Sequence, residues 1–281
     1  MRNIIRFILV LALSGLILPA TGLSQKAVEV RQVQNGEFVE IRASNPNPFP
    51  VTAEIRLSTE NLALTGNRQV TLLLNAHNNR LVKRLRIMDR NVSWDVGSEV
   101  RTATGNIFAT VNEDYPYQLP FGNMGEYRVE QGYGGLSTHF GRGRYAVDFS
   151  MPEGTSVHAV RDGVVTGLRK NSNWRGLNQS SESEGNFIMI LHEDGSIAVY
   201  AHLERNGVLV ETGQHVEEGE QIGLSGNTGY SHAPHLHFMV GRFDLNGTFS
   251  TFPVKFITDR GVISELENGE VYGKAEIGKM N

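Results

Sequence analysis

Polar and apolar residues alternate along the first part of the chain, which predicts β-strands rather than helices. Val39, Ile41 and Ala43 alternate with polar residues, and a second alternating run covers residues 51–57. This period of two places every other side chain on one face of a strand. Between the runs, the segment 45–50 contains three prolines, which lack the backbone N–H that strand pairing needs. We therefore predict two strands joined by a turn.

Two more apolar runs, at 70–74 and 81–87, continue this pattern. Repeated short strands with turn signals indicate a small β-sandwich over residues 25–100. Its single histidine, His77, lies in a predicted loop, and nothing in the region suggests catalysis. We interpret it as a structural or docking domain. Residues 101–125 are predicted to be a connector.

The composition changes after the connector, because eight of the nine histidines lie between His139 and His237. No segment there is a convincing amphipathic helix, so we predict an antiparallel β domain with long loops over 126–260. A tail at 261–281 would follow. The segment 171–185, rich in Ser, Asn and Glu, is the predicted surface loop that walls the groove. The predicted fold class is therefore all-β.

The chain begins with the pattern of a secretory signal peptide. Arg2 and Arg6 precede an apolar run at 7–18, and small residues follow at 22–24. A membrane anchor is the alternative, but the apolar run is short for a bilayer span. We therefore predict a signal peptide at 1–24 and an exported protein, periplasmic or extracellular, without stable membrane insertion once the signal is removed.

Composition restricts the chemistry. The chain has no cysteine, so a disulfide framework or a thiolate zinc site is excluded and any metal must be held by His and carboxylate. The formal net charge is −4, and removal of Arg2 and Arg6 takes it to −6. With no basic stripe to offset this charge, a nucleic-acid partner is not expected.

His235-Leu236-His237 is the sharpest local motif. On a strand, residues i and i+2 point to the same face, about 6–7 Å apart, so both imidazoles can converge on one metal–water cluster while Leu236 faces the core. Such an HxH pattern also occurs often by chance.

Two further residues support a site in this region. His202 follows the apolar run 197–200, and a strand there would place it beside the HxH strand, although alone it would be read as a core histidine. Asp148 lies among apolar residues, where an uncompensated carboxylate would be expensive. It should therefore be paired, hydrogen-bonded or bound to a metal.

Taken together, these features resemble the lysostaphin-type (LytM-like) family of zinc endopeptidases that cut peptidoglycan. The resemblance covers about residues 133–256. Its ordered motifs are the Asp148 strand, the turns at 154–157 and 162–165, and the segments 186–195, 200–203, 219–223, 225–229 and 234–238.

The resemblance implies one Zn²⁺ per chain, held by a first histidine, Asp148 and His237. It also implies that His202 and His235 stay off the metal and act on water and on the developing oxyanion. Three protein ligands leave an open position for a water, whose pKa zinc lowers toward ~7.

The chain departs from the family pattern at the first ligand. The position four residues before Asp148 is Arg144, which stays protonated and cannot bind zinc. The nearest upstream histidine is His139, nine residues before Asp148, and Gly141 and Gly143 would let a longer loop fold back. We predict His139 as the first ligand. The alternative is a site that has lost this ligand and holds no zinc.

The predicted function is hydrolysis of peptide cross-links in bacterial peptidoglycan by a metal-activated water, with peptide stems as the partner. The alternative is a zinc-free cell-wall-binding or amidase-activating module with a degenerate site. Turns at 210–213 and 216–219 resemble hairpins of biotinyl and lipoyl carrier domains, but no lysine lies there to accept a cofactor. Glycyl bridges and D-alanyl-diaminopimelate cross-links both stay open as substrates, as does an envelope protein partner for the N-terminal domain.

Overall fold

The structure, a computed structural model, describes residues 25–122, 125–135, 137–176 and 184–275. The predicted signal peptide lies outside these described residues. Within them the regular structure is β-strand, apart from one short 3-10 turn at Gly141–Gly143, which confirms the all-β prediction. In the same part of the chain, no helix has the length and apolar character that a membrane span requires.

The chain divides into two compact units, and the described part of the first comprises Gln25–Ile107 and Phe243–Thr248. The strands of this unit are β1 (Glu29–Asn35), β2 (Phe38–Ser44), β3 (Val51–Glu60), β4 (Leu62–Ala63), β5 (Gln69–Leu74), β6 (Asn79–Ile87) and β7 (Asp95–Thr104). They form two antiparallel sheets, with the strand orders β1-β2-β6-β4 and β5-β3-β7.

Burial follows the alternation from which β2 and β3 were predicted. Val39, Ile41 and Ala43 are buried, while their polar neighbours are partly exposed. The proline-rich segment between the two strands is a turn, and it is held by the Asn45 side-chain amide, which donates to the backbone carbonyl of Phe49 at 2.8 Å. The predicted strands and turn are therefore present. Face-to-face packing of the two sheets as a sandwich stays a prediction.

The described part of the second unit lies within 108–242 and 249–275. Its strands are β8 (Pro116–Gln118), β9 (Glu126–Gln131), β10 (Ala146–Phe149), β11 (Ser156–His158), β12 (Gly163–Arg169), β13 (Arg175–Gly176), β14 (Asn186–Leu191), β15 (Ile197–Val208), β16 (His215–Val216), β17 (Gln221–Ser225), β18 (Gly229–Tyr230), β19 (Leu236–Phe243), β20 (Phe249–Thr251), β21 (Lys255–Thr258), β22 (Gly261–Ile263) and β23 (Val271–Gly273).

The largest sheet of this unit has the strand order β16-β12-β14-β15-β19-β10-β9-β23, and its neighbours pair antiparallel. All six residues of β14 and all four of β10 are buried. Strands buried along their whole length are covered on both faces. The central strands therefore form a rigid support for the residues at their ends.

The segments predicted as connector and tail are more structured than expected. β7 continues to Thr104, and Tyr117, Leu119 and Phe121 of the connector are buried in the core of the second unit. In the tail, β23 pairs with β9, and Tyr272 is buried. The alternation at residues 117, 119 and 121 is too short to predict a strand by itself. Residues 123–124 and 276–281 lie outside the described residues, and the domain boundaries as a whole stay a prediction.

Candidate metal centre and active site

Strand pairing brings Asp148 and His237 together. β10 and β19 are antiparallel neighbours in which Asp148 lies directly opposite His237, and β15 on the other side pairs Ala201 with His237. His237 Nδ1 lies 2.7 Å from Asp148 Oδ1. Leu236, between the two histidines of the motif, is buried in the core, as predicted.

Asp148 is buried yet charged. Burial alone would raise the pKa of its carboxyl group, but the neighbouring imidazoles of His237 and His139 outweigh burial and hold this pKa well below its usual range. A buried carboxylate of this kind needs positive charge beside it. The expectation that Asp148 is paired is therefore met.

His139 reaches the same carboxylate from the long loop between β9 and β10. Its Nδ1 hydrogen-bonds to the backbone carbonyl of Gly132 at 2.8 Å, so the ring proton lies on Nδ1 and the neutral ring has a lone pair on Nε2. This Nε2 lies 3.2 Å from Asp148 Oδ2, but among the described residues it has no hydrogen-bond partner of acceptable geometry.

Two lone-pair atoms facing each other at this distance need a cation. Burial lowers the pKa of His139, but the Asp148 carboxylate raises it more, so on balance this pKa lies above its usual value. A proton on Nε2 is one way to meet the need, and a metal ion is the other. The unpartnered, buried Nε2 therefore fits a metal ligand.

His139, Asp148 and His237 each offer one ligand atom, and these atoms all lie within 4.8 Å of one another. Two imidazole nitrogens and one carboxylate oxygen are a donor set that suits Zn²⁺ and leaves a coordination position open. No other cluster of three or more His, Cys, Asp or Glu ligand atoms this compact occurs in the part of the chain that the structure describes. The residues present therefore fit a single metal ion.

His202 lies next to this cluster. Its backbone has a φ of 62°, a left-handed conformation that non-glycine residues adopt rarely, and its Nδ1 hydrogen-bonds to the Thr228 carbonyl at 2.8 Å. Burial, followed by the proximity of His235 and His237, lowers the pKa of His202 to about 3. At neutral pH the ring is therefore uncharged, with the lone pair on Nε2.

His235 is the partner of His202, with ring centroids 4.6 Å apart. Its Nδ1 hydrogen-bonds to the Ala233 carbonyl at 2.8 Å, and its Nε2 lies 3.8 Å from Asp148 Oδ1. His202 and His235 thus share one arrangement, in which a backbone carbonyl holds Nδ1–H and leaves Nε2 as an acceptor. The left-handed backbone of His202 is strained, and strained backbone is typical of functional sites.

Two residues to which the sequence analysis assigned no role orient His235. The Ser231 hydroxyl donates to the Ala233 carbonyl at 2.9 Å and lies 3.1 Å from His235 Nδ1. With the Asn227 amide turned so that both of its ends are satisfied, its nitrogen donates to Ser231 Oγ at 2.7 Å and its oxygen accepts from Arg175 at 2.9 Å. Asn227 belongs to the segment 225–229 that carries the resemblance, which was the available signal, whereas Ser231 lies between that segment and 234–238.

A glycine packs this segment closely against β15. A Cβ atom on Gly226 would overlap the backbone of Glu204, so only glycine lets the turn approach this far. Of the predicted loop 171–185, residues 177–183 lie outside the described residues. The start of that loop pairs with the turn through Arg175 and Gly229. Whether the loop walls the groove stays a prediction.

The structure thus brings together all five predicted site residues, three that could hold a metal ion and a histidine pair, which is the class of site expected of a metal-dependent hydrolase. Residues 142–248 match the sequence model of peptidase family M23. This part of the chain is therefore similar to that family of metallopeptidases. Asp148, His202, His235 and His237 fall inside the matched range, and His139 precedes it.

The chain is similar in sequence to several metalloproteases and peptidoglycan endopeptidases. It is 29% identical over 220 residues to an uncharacterized metalloprotease of Buchnera aphidicola, covering 71% of this chain and 53% of the relative. It is 40% identical over 91 residues to the peptidoglycan DD-endopeptidase ShyA of Vibrio cholerae, covering 32% of this chain and 18% of ShyA. The chain therefore spans about half of the first relative and a smaller part of the second.

Among solved structures, the chain is similar to the antimicrobial peptidase lysostaphin from Staphylococcus simulans. The identity is 35%, the match covers 44% of this chain and 47% of lysostaphin, and the TM-score is 0.34.

Proposed function

We propose that this chain is a zinc-dependent endopeptidase that hydrolyses peptide cross-links of bacterial peptidoglycan outside the cytoplasm. The observation that carries the proposal is the convergence of His139, Asp148 and His237 beside His202 and His235. The name of ShyA, a peptidoglycan DD-endopeptidase, supports the substrate class. The predicted signal peptide at residues 1–24 supports an exported enzyme, periplasmic or extracellular.

One group of residues would hold the ion, and the histidine pair would accept and donate protons. His139, Asp148 and His237 would hold one Zn²⁺, and Asp148 offsets part of its charge. When bound, the ion would supply Lewis acidity, which lowers the pKa of water and polarises the scissile carbonyl. All other steps rest on the histidine pair.

The direction of its ring assigns His202 as the general base. Burial lowers the pKa of His202, so the ring is neutral at physiological pH, and its Nδ1 is occupied by the Thr228 carbonyl. The attacking water can therefore give its proton only to Nε2. Once protonated, the ring offers an N–H to the leaving amine. A positioned base of this kind contributes roughly 10²–10⁴-fold to the rate.

His235 has the same orientation and lies across the Asp148 carboxylate from His139. Ser231 and Ala233 fix the direction of its ring, so its Nε2 stays aimed at the site. We assign it to the reacting carbonyl oxygen, to which Nε2 would donate a hydrogen bond in the form of the ring that carries a proton on both nitrogens. Pre-oriented groups need no rearrangement during the reaction.

The test is digestion of purified sacculi by the purified protein, with and without a chelator and then with zinc added back. We expect about one zinc per chain, release of cross-link fragments, and loss of both with chelator. Asp148→Asn should lose zinc and all measurable activity. Asp114→Asn is the matched control, because Asp114 is exposed and pairs only with Lys255 on the surface of the unit.

Mass analysis of the fragments identifies the bond. D-alanyl-diaminopimelate cleavage and glycyl-bridge cleavage give different end groups when sacculi of both types are used. Binding to sacculi without fragment release by the zinc-loaded protein would contradict the proposal and favour a cell-wall-binding module. A partner for the first unit stays a prediction.

A further inference from the structure

The loop that carries His139 begins after Gln131, the last residue of β9. Gln131 Oε1 accepts hydrogen bonds from the backbone N–H groups of Ser137 at 3.0 Å and Thr138 at 3.4 Å. Its Nε2 donates to Thr138 Oγ1 at 2.7 Å. One side chain therefore fastens the two residues that immediately precede His139.

The same amide also reaches the carboxylate. Gln131 Nε2 donates to Asp148 Oδ2 at 3.2 Å, the oxygen near which His139 Nε2 also lies. Backbone pairing supports this contact, because Asp148 lies opposite Gln131 across β10 and β9. A glutamine amide has two N–H donors and two acceptor lone pairs. With Ser137 and Thr138, all four are used.

The loop is shaped around this side chain. A Cβ atom on Gly135 would overlap the Gln131 side chain, so the backbone passes directly over it. At the start of the loop, the Gly132 carbonyl holds His139 Nδ1 at 2.8 Å. Gln131 and Gly132 are therefore adjacent residues that fix the loop and the imidazole, respectively.

We propose that Gln131 is a positioning residue, which sets His139 and Asp148 in the geometry that binds the metal ion. This inference rests on one part of the proposed function, which is that the site holds zinc. It also accounts for how a histidine nine residues from Asp148 reaches the site: the added loop has its own anchor. Groups that orient metal ligands typically contribute about 10–100-fold to metal affinity.

The experiment measures zinc affinity of the full chain by competition with a chromophoric chelator. Gln131→Met keeps the side-chain length and removes every hydrogen bond, so we expect zinc to bind about 10–100-fold more weakly. Gln118→Met is the matched control, since Gln118 donates to Glu218 outside the site. It should bind zinc as the wild type does.

A second variant and a metal-free readout guard against simple unfolding. Thr138→Val removes one acceptor and leaves the bond from Gln131 to Asp148, so its loss of affinity should be smaller. In the metal-free protein, the amide hydrogens of Ser137 and Thr138 should exchange faster in Gln131→Met than in the wild type. In Gln118→Met their exchange rates should equal those of the wild type. Wild-type zinc affinity in Gln131→Met, or an equal loss in Gln118→Met, would overturn the inference.

The two proposals fail in different ways. If the wild type binds zinc but releases no fragments from sacculi, the proposed function is wrong and the affinity comparison at Gln131 still decides its role. If the wild type binds no zinc, both proposals are wrong.

Discussion

The two units bury different kinds of polar side chain. In the first, the buried polar residues are neutral, and Gln32, Asn45 and Thr52 each donate to a backbone carbonyl. In the second, buried side chains include His139 and Asp148. Among the described residues, every buried side chain of an ionisable type belongs to the second unit.

Buried neutral polar groups therefore support the fold of the first unit, whereas buried ionisable groups in the second unit are available for chemistry. A buried amide with backbone partners costs little, whereas a buried charge is expensive unless it is paired. Groups of the second kind persist where they perform a function. The comparison therefore places the site in the second unit independently of motif matching.

The largest effect should come from His202→Ala, which removes the proposed base and leaves the metal ligands in place. We expect kcat on purified cross-linked peptides to fall by roughly 10²–10⁴-fold. Zinc affinity should remain close to that of the wild type. His215→Ala, a change at an exposed histidine of the same unit, is the control for kcat. Parallel loss of zinc and activity in His202→Ala would instead make His202 a ligand.

In the first unit, Asn45→Ala should destabilise the fold without touching the chemistry. The Asn45 amide donates to the carbonyls of Phe49, Leu74 and Asn75, and its oxygen accepts from Asn47. Losing these bonds should lower the free energy of unfolding of this unit by about 3 kcal/mol.

Denaturation can be followed through the first unit alone, because the chain has two tryptophans and Trp94 lies in this unit. A Trp174→Phe background leaves Trp94 as the single probe, and Asn78→Ala is the control at an exposed asparagine. Changed zinc affinity in Asn45→Ala would contradict the separation of the two units' roles.

The smallest effect concerns His192, a buried histidine of the second unit outside the site. Burial lowers the pKa of His192 to about 4, while its Nδ1 hydrogen-bonds to the Asp162 carbonyl at 2.7 Å. Because the folded-state pKa lies below the unfolded value of about 6.5, the unfolded chain takes up the proton first as pH falls. The contribution is therefore complete above about pH 6.5 and is lost toward pH 4.

Between about pH 7 and pH 5, this linkage should lower the free energy of unfolding of the second unit by about 2 kcal/mol. Trp174 in a Trp94→Phe background reports this unit, and His192→Gln removes the titrating group while keeping an N–H donor. The variant should show a pH dependence that is weaker by this amount. An unchanged slope would show that other groups carry the acid sensitivity.

Much of the fold was predictable from local pattern. The alternation at Val39, Ile41 and Ala43 identifies the buried face of β2, because strand periodicity is a local property of the chain. The connector was predicted less well. Tyr117 and Phe121 lie in a short segment whose strand, β8, forms by parallel pairing with the distant β21, which no local pattern announces.

The site shows the same division. His235 and His237 were found by their i, i+2 spacing, and Asp148 by an apolar neighbourhood that a carboxylate does not enter without a partner. Gln131 and Ser231 were missed as positioning residues. Their roles consist of hydrogen bonds to groups that the sequence does not place near them in any recognisable spacing.

The sequence by itself determined the all-β character and the chemical types available to the site: imidazoles and a carboxylate, with no thiolate. Only the tertiary structure decided how they meet. Strand register places Asp148 opposite His237. In His139, His202 and His235, a backbone carbonyl accepts the hydrogen bond from Nδ1, so that Nε2 faces the site. The number of residues in a loop limits only how far the loop reaches. The direction of each imidazole ring is fixed by hydrogen bonds between parts of the folded chain.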